Sequence, residues 1–138
     1  MGPASKMKLL LDTHVFIWSI ANPSRLSRRA AKALADPRNE LWISPVTTWE
    51  ILFLQRKGWW LKLKEAPASW IPAVLSRGPF REAVFTHEVA LASDAITLPH
   101  RDPADAFLAA TARVYDLTLV TADDNLLNGK GYSVLVAQ

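Results

Sequence analysis

The sequence predicts an α/β fold in three layers, with helices on both faces of a short, mostly parallel central sheet. A run of three leucines at residues 9–11 ends at Asp12 and is followed by apolar residues at helical spacing. Strand-like and helix-like segments alternate along the rest of the chain, which is typical of a parallel sheet. The chain has 138 residues, half of them hydrophobic, so it is long enough for one domain with a substantial core.

Four segments are predicted to be strands. Residues 9–11 form an uninterrupted apolar run, as in a strand that is buried on both faces. Residues 41–43 are a second short apolar run, and residues 117–120 are rich in β-branched side chains. A turn at residues 128–131 (NGKG) leads into the last strand at residues 132–136.

Capping residues and prolines define the predicted helices. Prolines at positions 67, 72 and 79 interrupt the middle of the chain and predict that its helix is short, while residues 59–63 (WWLKL) form a short amphipathic segment. The predicted helices are one between Asp12 and a turn at residues 22–24, one from Ser24 or Ser27 to about Ala35, one from Ser44 to Lys57, one around Ser69 to Ser76, one from Thr86 to about Ser93 and one from Asp102 to Tyr115.

The composition excludes several classes of protein. The chain has no cysteine, which excludes disulfides, zinc–thiolate sites and thiol catalysis. No apolar run approaches the roughly 20 residues of a membrane-spanning helix, and no secretory signal is present, so we expect a cytoplasmic protein without membrane association. Residues 1–6 are expected to be a loose leader or a vector-derived remnant, and residues 7–138 a single domain.

Four acidic residues, Asp12, Glu50, Asp105 and Asp123, are candidates for a shared site. Asp12 and Asp123 follow predicted strands, whose carboxyl ends form the ligand-binding edge of an open α/β sheet. Glu50 is predicted to share a buried helix face with Val46, Trp49, Phe53 and Leu54. A carboxylate on such a face is paired, protonated or bound to a cation.

Each acid also has a purely structural interpretation. These alternatives are helix capping by Asp12, an ion pair of Glu50 with Arg56 or Lys57, stabilisation of a helix N-terminus by Asp102 and Asp105, and a turn at Asp123, whose role the adjacent Asp124 can take. The occurrence of all four acids together favours a site, because converging carboxylates repel one another unless they bind a cation.

An all-oxygen site of this kind suits Mg²⁺, with Mn²⁺ as the alternative, and supports hydrolysis of a phosphodiester. Thr13, Ser44 and Thr121 lie beside the acids in the sequence and can orient them.

Four motifs resemble the PIN-domain nucleases, and most closely the VapC toxins of bacterial and archaeal toxin–antitoxin pairs. They are Leu-Leu-Leu-Asp12-Thr-His, Ser44-x5-Glu50-Ile, His100-Arg-Asp-Pro-Ala-Asp105 followed by Leu-Ala-Ala-Thr-Ala, and Leu-Val-Thr121-Ala-Asp123. The similarity runs from about Met7 to the C-terminus. The chain departs from many relatives at Ala106, where they have arginine, but the set of acids is complete.

The resemblance implies a PIN-like domain with metal-dependent endoribonuclease activity. Asp12, Glu50, Asp105 and Asp123 correspond to the catalytic acids that hold the metal ion, and Asp102 is either structural or helps to orient them. The resemblance further implies an RNA substrate, a homodimer, and inhibition by a cognate VapB-like antitoxin whose C-terminal segment wraps the toxin.

Two further surfaces fit this function. The net charge is +3, and basic residues at helical spacing are predicted to share a face that holds the RNA backbone, with an ordinary solvated surface as the alternative: Arg25, Arg28, Arg29 and Lys32. A second basic cluster comprises Arg56, Lys57, Lys62 and Lys64. Several aromatic residues either belong to the core or are partly exposed to receive an antitoxin helix: Trp49, Phe53, Trp59, Trp60 and Trp70.

Two other functions compete with the nuclease. A phospho-receiver domain needs an acidic pair after its first strand and a lysine after a late strand, and neither residues 12–14 (DTH) nor residues 121–123 (TAD) fit. A catalytically inactive PIN-like module that only binds RNA or protein is the remaining alternative, and the complete set of acids argues against it.

Overall fold

Five parallel strands form the central layer of the structure, a computed structural model that describes residues 6–58 and 65–138. In spatial order the strands run β3-β2-β1-β4-β5. Their bounds are β1 (Lys8–Leu11), β2 (Glu40–Ile43), β3 (Phe80–Glu82), β4 (Thr118–Thr121) and β5 (Ser133–Val136). The predicted leader, apart from Lys6, and the predictions for residues 59–64 lie outside the described residues.

The strand order creates a switch point between β1 and β4. The chain builds outward from β1 to β2 and β3, then returns to place β4 on the other side of β1. Leu10 of β1 therefore pairs with Leu119 of β4, although the two residues are far apart in sequence. In open α/β sheets, the crevice at the carboxyl ends of such strands is where ligands bind.

The three leucines of β1 divide between two cores, one on each face of the sheet. Leu9 and Leu11 pack into one core, and Leu10 packs into the other. Because successive side chains of a strand point to opposite faces, a continuous apolar run is what a strand covered on both sides requires.

Helices cover both faces of the sheet, as predicted. Their bounds are α1 (Thr13–Ala21), α2 (Arg28–Ala35), α3 (Pro45–Arg56), α4 (Pro67–Arg77), α5 (His87–Ala92), α6 (Pro103–Val114) and α7 (Asp124–Leu127). Buried side chains of α1 to α4 join Leu9 and Leu11, while those of α5, α6 and α7 join Leu10. The described helices include none that could cross a membrane.

The middle of the chain differs from the prediction. Helix α4 has 11 residues rather than a short core at residues 69–76, because Pro67 occupies the first turn and Pro72 lies inside the helix on an exposed side. The carbonyl that Pro72 leaves without a donor belongs to Ala68, which is also exposed, so water can reach it.

Two short elements were not predicted from the sequence. Strand β3 has three residues and one apolar side chain, so no strand-like alternation of polar and apolar residues is visible in the sequence. It is part of the sheet because it pairs with β2. Helix α7 has four residues and is capped by Asp123. Both elements are too short for sequence periodicity to identify.

We expect Leu119→Ala to lower the free energy of unfolding by about 2–5 kcal/mol, because it leaves a cavity at a fully buried position of a central strand. Leu91→Ala is the matched control, since Leu91 is 77% exposed, and its effect should stay within about 0.5 kcal/mol. Urea denaturation of the two variants measures the difference. Equal losses of stability would contradict the position of Leu119 in the core.

Candidate active site

An acidic cleft of about 520 Å³ opens at the carboxyl edge of the sheet, beside the switch point. All four predicted acids line it: Asp12 after β1, Glu50 on α3, Asp105 on α6 and Asp123 after β4. The rest of its lining consists of His14, Trp18, Arg25 and Ala122. Residues from four separate parts of the sequence therefore meet in one small volume.

Asp12 is buried at the seam between β1 and β4, with only 5% of its surface exposed. Its Oδ1 accepts the backbone N–H of Thr13, which makes Asp12 the N-cap of α1. Its Oδ2 accepts a hydrogen bond from Thr121 Oγ1 at 2.6 Å. Burial raises the pKa of Asp12, whereas the Thr121 hydrogen bond and the charge of His14 act in the opposite direction.

Glu50 faces Asp12 through a buried threonine. The hydroxyl of Thr13, which is fully buried, donates to Glu50 Oε1. Burial raises the pKa of Glu50, the Thr13 hydrogen bond lowers it, and the charges of Asp12 and Asp102 raise it further. The alternative of an ion pair with Arg56 or Lys57 is wrong, because among the described residues neither cation lies within ion-pair distance of Glu50.

The buried face of α3 is not the one predicted. The buried residues of this helix are Thr47 and Ile51, and Ile51 packs into the core of α1 and α4. Trp49 is 56% exposed and Phe53 is 39% exposed. Glu50 therefore lies at the border between the buried side and an exposed aromatic side, rather than in the middle of the core. Helical spacing indicates which residues share a face, but the neighbours decide which face is covered.

Asp105 is held by an asparagine from α7. Asn125 Nδ2 donates to Asp105 Oδ2 at 2.8 Å and to the carbonyl of His100 at 3.0 Å. Asn125 Oδ1 in turn accepts the backbone N–H of His100 at 2.7 Å. Burial raises the pKa of Asp105 to about 7, with a smaller opposing effect of Asn125 and further increases from Asp102, Asp123 and Asp12.

Asp123 and Asp102 both cap helices as well as adding charge to this region. Asp123 Oδ1 accepts the N–H of Asn125 at 3.2 Å, at the start of α7. Asp102 Oδ1 accepts the N–H of Asp105 at 3.0 Å, at the start of α6. For Asp123, capping and membership of the cleft are therefore compatible, because the cap uses only one of its two carboxylate oxygens.

Thr121 forms hydrogen bonds to two of the acids, Asp12 and Asp123. Its hydroxyl donates to Asp12 and accepts the backbone N–H of Asp123 at 3.0 Å. Ser44 behaves differently, since its hydroxyl accepts the N–H of Val46 at 3.0 Å and caps α3. Ser44 therefore bears on Glu50 only by starting the helix that carries it.

The donor chemistry of the cleft fits a divalent metal ion, since carboxylate oxygens are the ligands that Mg²⁺ and Mn²⁺ prefer. The raised pKa values of Asp12, Glu50 and Asp105 mean that a bound cation would stabilise their ionised forms. Within residues 6–58 and 65–138, no group of three or more His, Asp or Glu side chains is already arranged to hold an ion directly. Mg²⁺ does not require such a group, because it keeps several waters and binds proteins through one or two carboxylates.

The predicted basic face is divided in the structure. Ser27 caps α2 by accepting the N–H of Ala30, so the helix begins at Arg28 and Arg25 is not part of it. Arg25 instead ends a 3-10 turn at Pro23–Arg25 and lines the acidic cleft. The prediction that Arg25 shares a helix face with Arg28, Arg29 and Lys32 is therefore wrong, because the backbone between them is extended at the cap.

An aromatic groove of about 600 Å³ adjoins the acidic cleft. It is lined by side chains of α3 and α6 and by Phe85, and it shares Glu50 with the cleft. Trp49 stacks on Phe53 with ring centroids 5.2 Å apart, and Phe85 packs against Phe107 edge to face. Trp70, by contrast, is buried against Phe16. The predicted aromatic set thus contains both exposed and core residues.

Sequence reasoning gave no site role to Asn125 or Trp18. Neither residue type indicates a function by itself, because an asparagine in a short polar segment and a tryptophan on an amphipathic helix are both common. Asn125 acts through its contact with Asp105, which is distant in the sequence, and Trp18 acts through its contact with Arg25, which lies beyond the end of α1. Only the position of Asn125 two residues after Asp123 was a usable signal.

Known proteins resemble this chain in both sequence and fold. The family model described as PIN domain matches residues 9–130. Ribonuclease VapC22 from Mycobacterium tuberculosis is 32% identical over 123 residues, which are 86% of this chain and 88% of that protein.

Two solved structures have a similar fold. The crystal structure of VapBC2 from Rickettsia felis bound to a promoter DNA fragment matches with a TM-score of 0.69 and 17% identity, over 96% of this chain and 100% of that chain. A toxin–antitoxin complex from Klebsiella pneumoniae matches with a TM-score of 0.59 and 21% identity, over 93% and 96% of the two chains. At these identities the likeness shows the fold alone.

The family match includes all four acids of the cleft and four of the five strands of the sheet. The resemblance inferred from the motifs around these acids is confirmed by the family match and by the sequence identity. This chain belongs to the PIN-domain family.

Proposed function

We propose that this protein is a metal-dependent endoribonuclease that hydrolyses RNA phosphodiester bonds and acts as the toxin of a toxin–antitoxin pair. The observation that carries the proposal is the meeting of four acids from distant positions in one cleft at the switch point of the sheet. The identity with Ribonuclease VapC22 supports the same activity and substrate. The fold shared with VapBC complexes supports a toxin–antitoxin context.

In the proposed reaction, a water oxygen forms a bond to phosphorus, the bond from phosphorus to the leaving ribose oxygen breaks, and a proton ends on that oxygen. Asp12, Asp105 and Asp123, with Glu50, would hold Mg²⁺, or Mn²⁺ in its place. When bound, such an ion supplies positive charge that neutralises the phosphate and makes water more acidic.

The chain's own residues orient the acids. Thr121 fixes the Asp12 carboxylate and Asn125 fixes that of Asp105, so these oxygens do not have to be ordered when substrate arrives. Thr13 occupies Glu50 Oε1 and leaves Oε2 to accept a proton from the attacking water.

The proposed partners follow from the surfaces around the cleft. Arg28, Arg29 and Lys32 are exposed on α2 and would hold the RNA backbone, together with Arg25 at the cleft. The exposed rings of Trp49 and Phe53 support a protein partner beside the site. From the resemblance, the proposal includes a VapB-like antitoxin, a homodimer and a cytoplasmic site of action.

We expect Asp12→Asn to reduce Mg²⁺-dependent RNA cleavage by on the order of a hundredfold or more, because the change removes a charge that the metal requires. Asparagine also caps helices well, so α1 should persist and the melting temperature should change little. Cleavage of a labelled RNA pool, with the divalent ion removed and restored, provides the measurement.

The matched control for Asp12→Asn is Asp94→Asn, an exposed aspartate in the 3-10 turn Ser93–Ala95, which should cleave RNA as the unmodified chain does. Undiminished cleavage by the Asp12 variant would rule out the catalytic assignment and favour the alternative of a module that only binds.

Replacing Asn125 by alanine should weaken Mg²⁺ binding by about 10- to 100-fold, because Asp105 loses the donor that orients it and His100 loses its tether. Calorimetric titration of the metal-free protein with Mg²⁺ measures this. Asn128→Ala is the control, because Asn128 lies at the other end of α7, is exposed, and its side chain donates to the carbonyl of Asp124. Equal Mg²⁺ affinities in the two variants would refute the role of Asn125.

Without a divalent ion, the free energy of unfolding should fall as the pH rises from about 4 to about 7. The pKa of Asp105 is about 7 in the fold and 3.8 when unperturbed. In this interval the folded state keeps a proton that the unfolded state releases, so rising pH favours unfolding and the loss levels off above pH 7. The pKa values of Asp12 and Glu50 are also raised and act in the same direction.

Urea denaturation in a chelator at a series of pH values measures this slope. The Asp105→Asn variant should show a shallower slope, and added Mg²⁺ should stabilise the unmodified chain more at pH 8 than at pH 5. A slope that is the same in the variant would contradict the raised pKa of Asp105.

A further inference from the structure

The lining of the acidic cleft includes a guanidinium as well as the carboxylates. Besides the four acids, the lining includes Trp18 and Arg25, both contributed by the segment that follows β1. A phosphodiester is an anion, so a cleft of carboxylates repels it unless positive charge is present. A metal ion meets part of this requirement, and Arg25 adds a positive charge that does not depend on bound metal.

Arg25 is held by an aromatic contact and not by an ion pair. The carbon of its guanidinium lies 4.7 Å from the centroid of the Trp18 ring. In the part of the chain that the structure describes, Arg25 forms no salt bridge with any acid. A guanidinium stacked on a ring keeps its in-plane N–H groups available, and these groups match two oxygens of a phosphate.

Trp18 and the backbone turn restrict where the Arg25 side chain can lie. Trp18 is half-buried and packs against the core on the α1 side of the sheet. The backbone of Arg25 belongs to a 3-10 turn that starts with Pro23 and is closed by hydrogen bonds of 3.1 Å from Arg25 N to Asn22 O and from Leu26 N to Pro23 O. The contact with Trp18 restrains the exposed Arg25 side chain before substrate binds, so less conformational entropy is lost on binding.

The remaining basic residues of the predicted RNA surface are placed differently. Arg28, Arg29 and Lys32 lie on α2, beyond the cap at Ser27, and none of them lines the cleft. They can attract RNA through screened, long-range charge. Arg25 is the residue of this group that shares a pocket with Asp12 and Asp123.

We propose that Arg25 binds a phosphate of the RNA strand at the cleft and sets the register of the strand against the four acids, and that Trp18 is the positioning residue that holds Arg25 there. This inference rests on the proposed ribonuclease function and adds a substrate-binding residue to it. It separates one arginine that contacts substrate at the reacting centre from three basic residues that act at longer range.

RNA binding by the full chain tests the role of Arg25. Fluorescence anisotropy with a labelled single-stranded RNA, in the presence of Mg²⁺ and in an Asp12→Asn background that leaves the RNA intact, gives the dissociation constant over a series of salt concentrations. Arg25→Ala should weaken binding by about tenfold and reduce the slope of log affinity against log salt by about 0.7, the value for one phosphate contact on a single strand.

Two further arginine variants sharpen this test. Arg25→Lys should keep most of the salt slope but lose part of the affinity, because lysine lacks the planar fork. Arg77→Ala is the matched control, since Arg77 is exposed near the end of α4 and outside the cleft, and it should change neither quantity. An Arg25→Ala variant with unchanged affinity and slope overturns the inference.

A double-mutant cycle tests the role of Trp18. Trp18→Leu should weaken RNA binding when Arg25 is present and have no further effect when Arg25 is alanine, whereas Trp18→Phe should restore binding because it keeps a ring. A purely structural role of Trp18 would give the same loss in both backgrounds, and that result overturns the positioning role.

The outcomes also separate this inference from the proposed function. If the unmodified chain cleaves RNA and Arg25→Ala binds and cleaves as well as it does, the inference fails while the nuclease stands. If the Asp12→Asn chain has no affinity for RNA at any salt concentration, and the unmodified chain does not cleave it, both fail together.

Discussion

The hydrogen bond from Thr121 to Asp12 is the interaction on which the candidate site depends. It joins the carboxyl ends of β1 and β4, which are neighbours only because the chain returns to the centre of the sheet after β3. Asp12 is almost fully buried, so losing this donor would remove one of the two hydrogen bonds, from Thr121 and Thr13, that compensate the carboxylate for its lost hydration. Since the same hydroxyl accepts the N–H of Asp123, one threonine sets the relative position of two acids.

The hydrogen bonds that orient the acids of the cleft come from neutral donors, so they add no positive charge to the site. Thr121, Thr13 and Asn125 each give one hydrogen bond to a carboxylate without neutralising it. Asp36 shows the contrast, because Arg38 pairs with it at 2.8 Å and lowers its pKa to about 2. A carboxylate paired in that way has little further affinity for a cation. The acids of the cleft are not paired in that way, and the raised pKa of Asp105 shows that a bound cation would stabilise its ionised form.

The negative carboxylates and the positive Arg25 of the cleft come from different elements of the fold. The carboxylates come from the ends of β1 and β4 and from α3 and α6, and the cation comes from the turn after α1. This arrangement suits a substrate that must approach acids although it is itself an anion, because metal and guanidinium can each neutralise part of it. The aromatic groove next to Glu50 lies outside this division and presents apolar surface at the border of the site.

The sequence by itself determined the features that depend on residues close to one another along the chain. The run of leucines before Asp12 indicated a strand that is buried on both faces, and Ser44 and Asp102 indicated helix starts, because a cap bonds to a backbone group two or three positions away. The motifs around the acids were sufficient to identify the family. Only the tertiary structure decided that Thr121 meets Asp12, which is 109 positions away, that Asn125 holds Asp105, and that Trp49 and Phe53 are exposed. The physical reason is that capping and periodicity are local, whereas the pairing of β4 beside β1 and the choice of which helix face is covered depend on contacts that form only when the whole sheet has assembled.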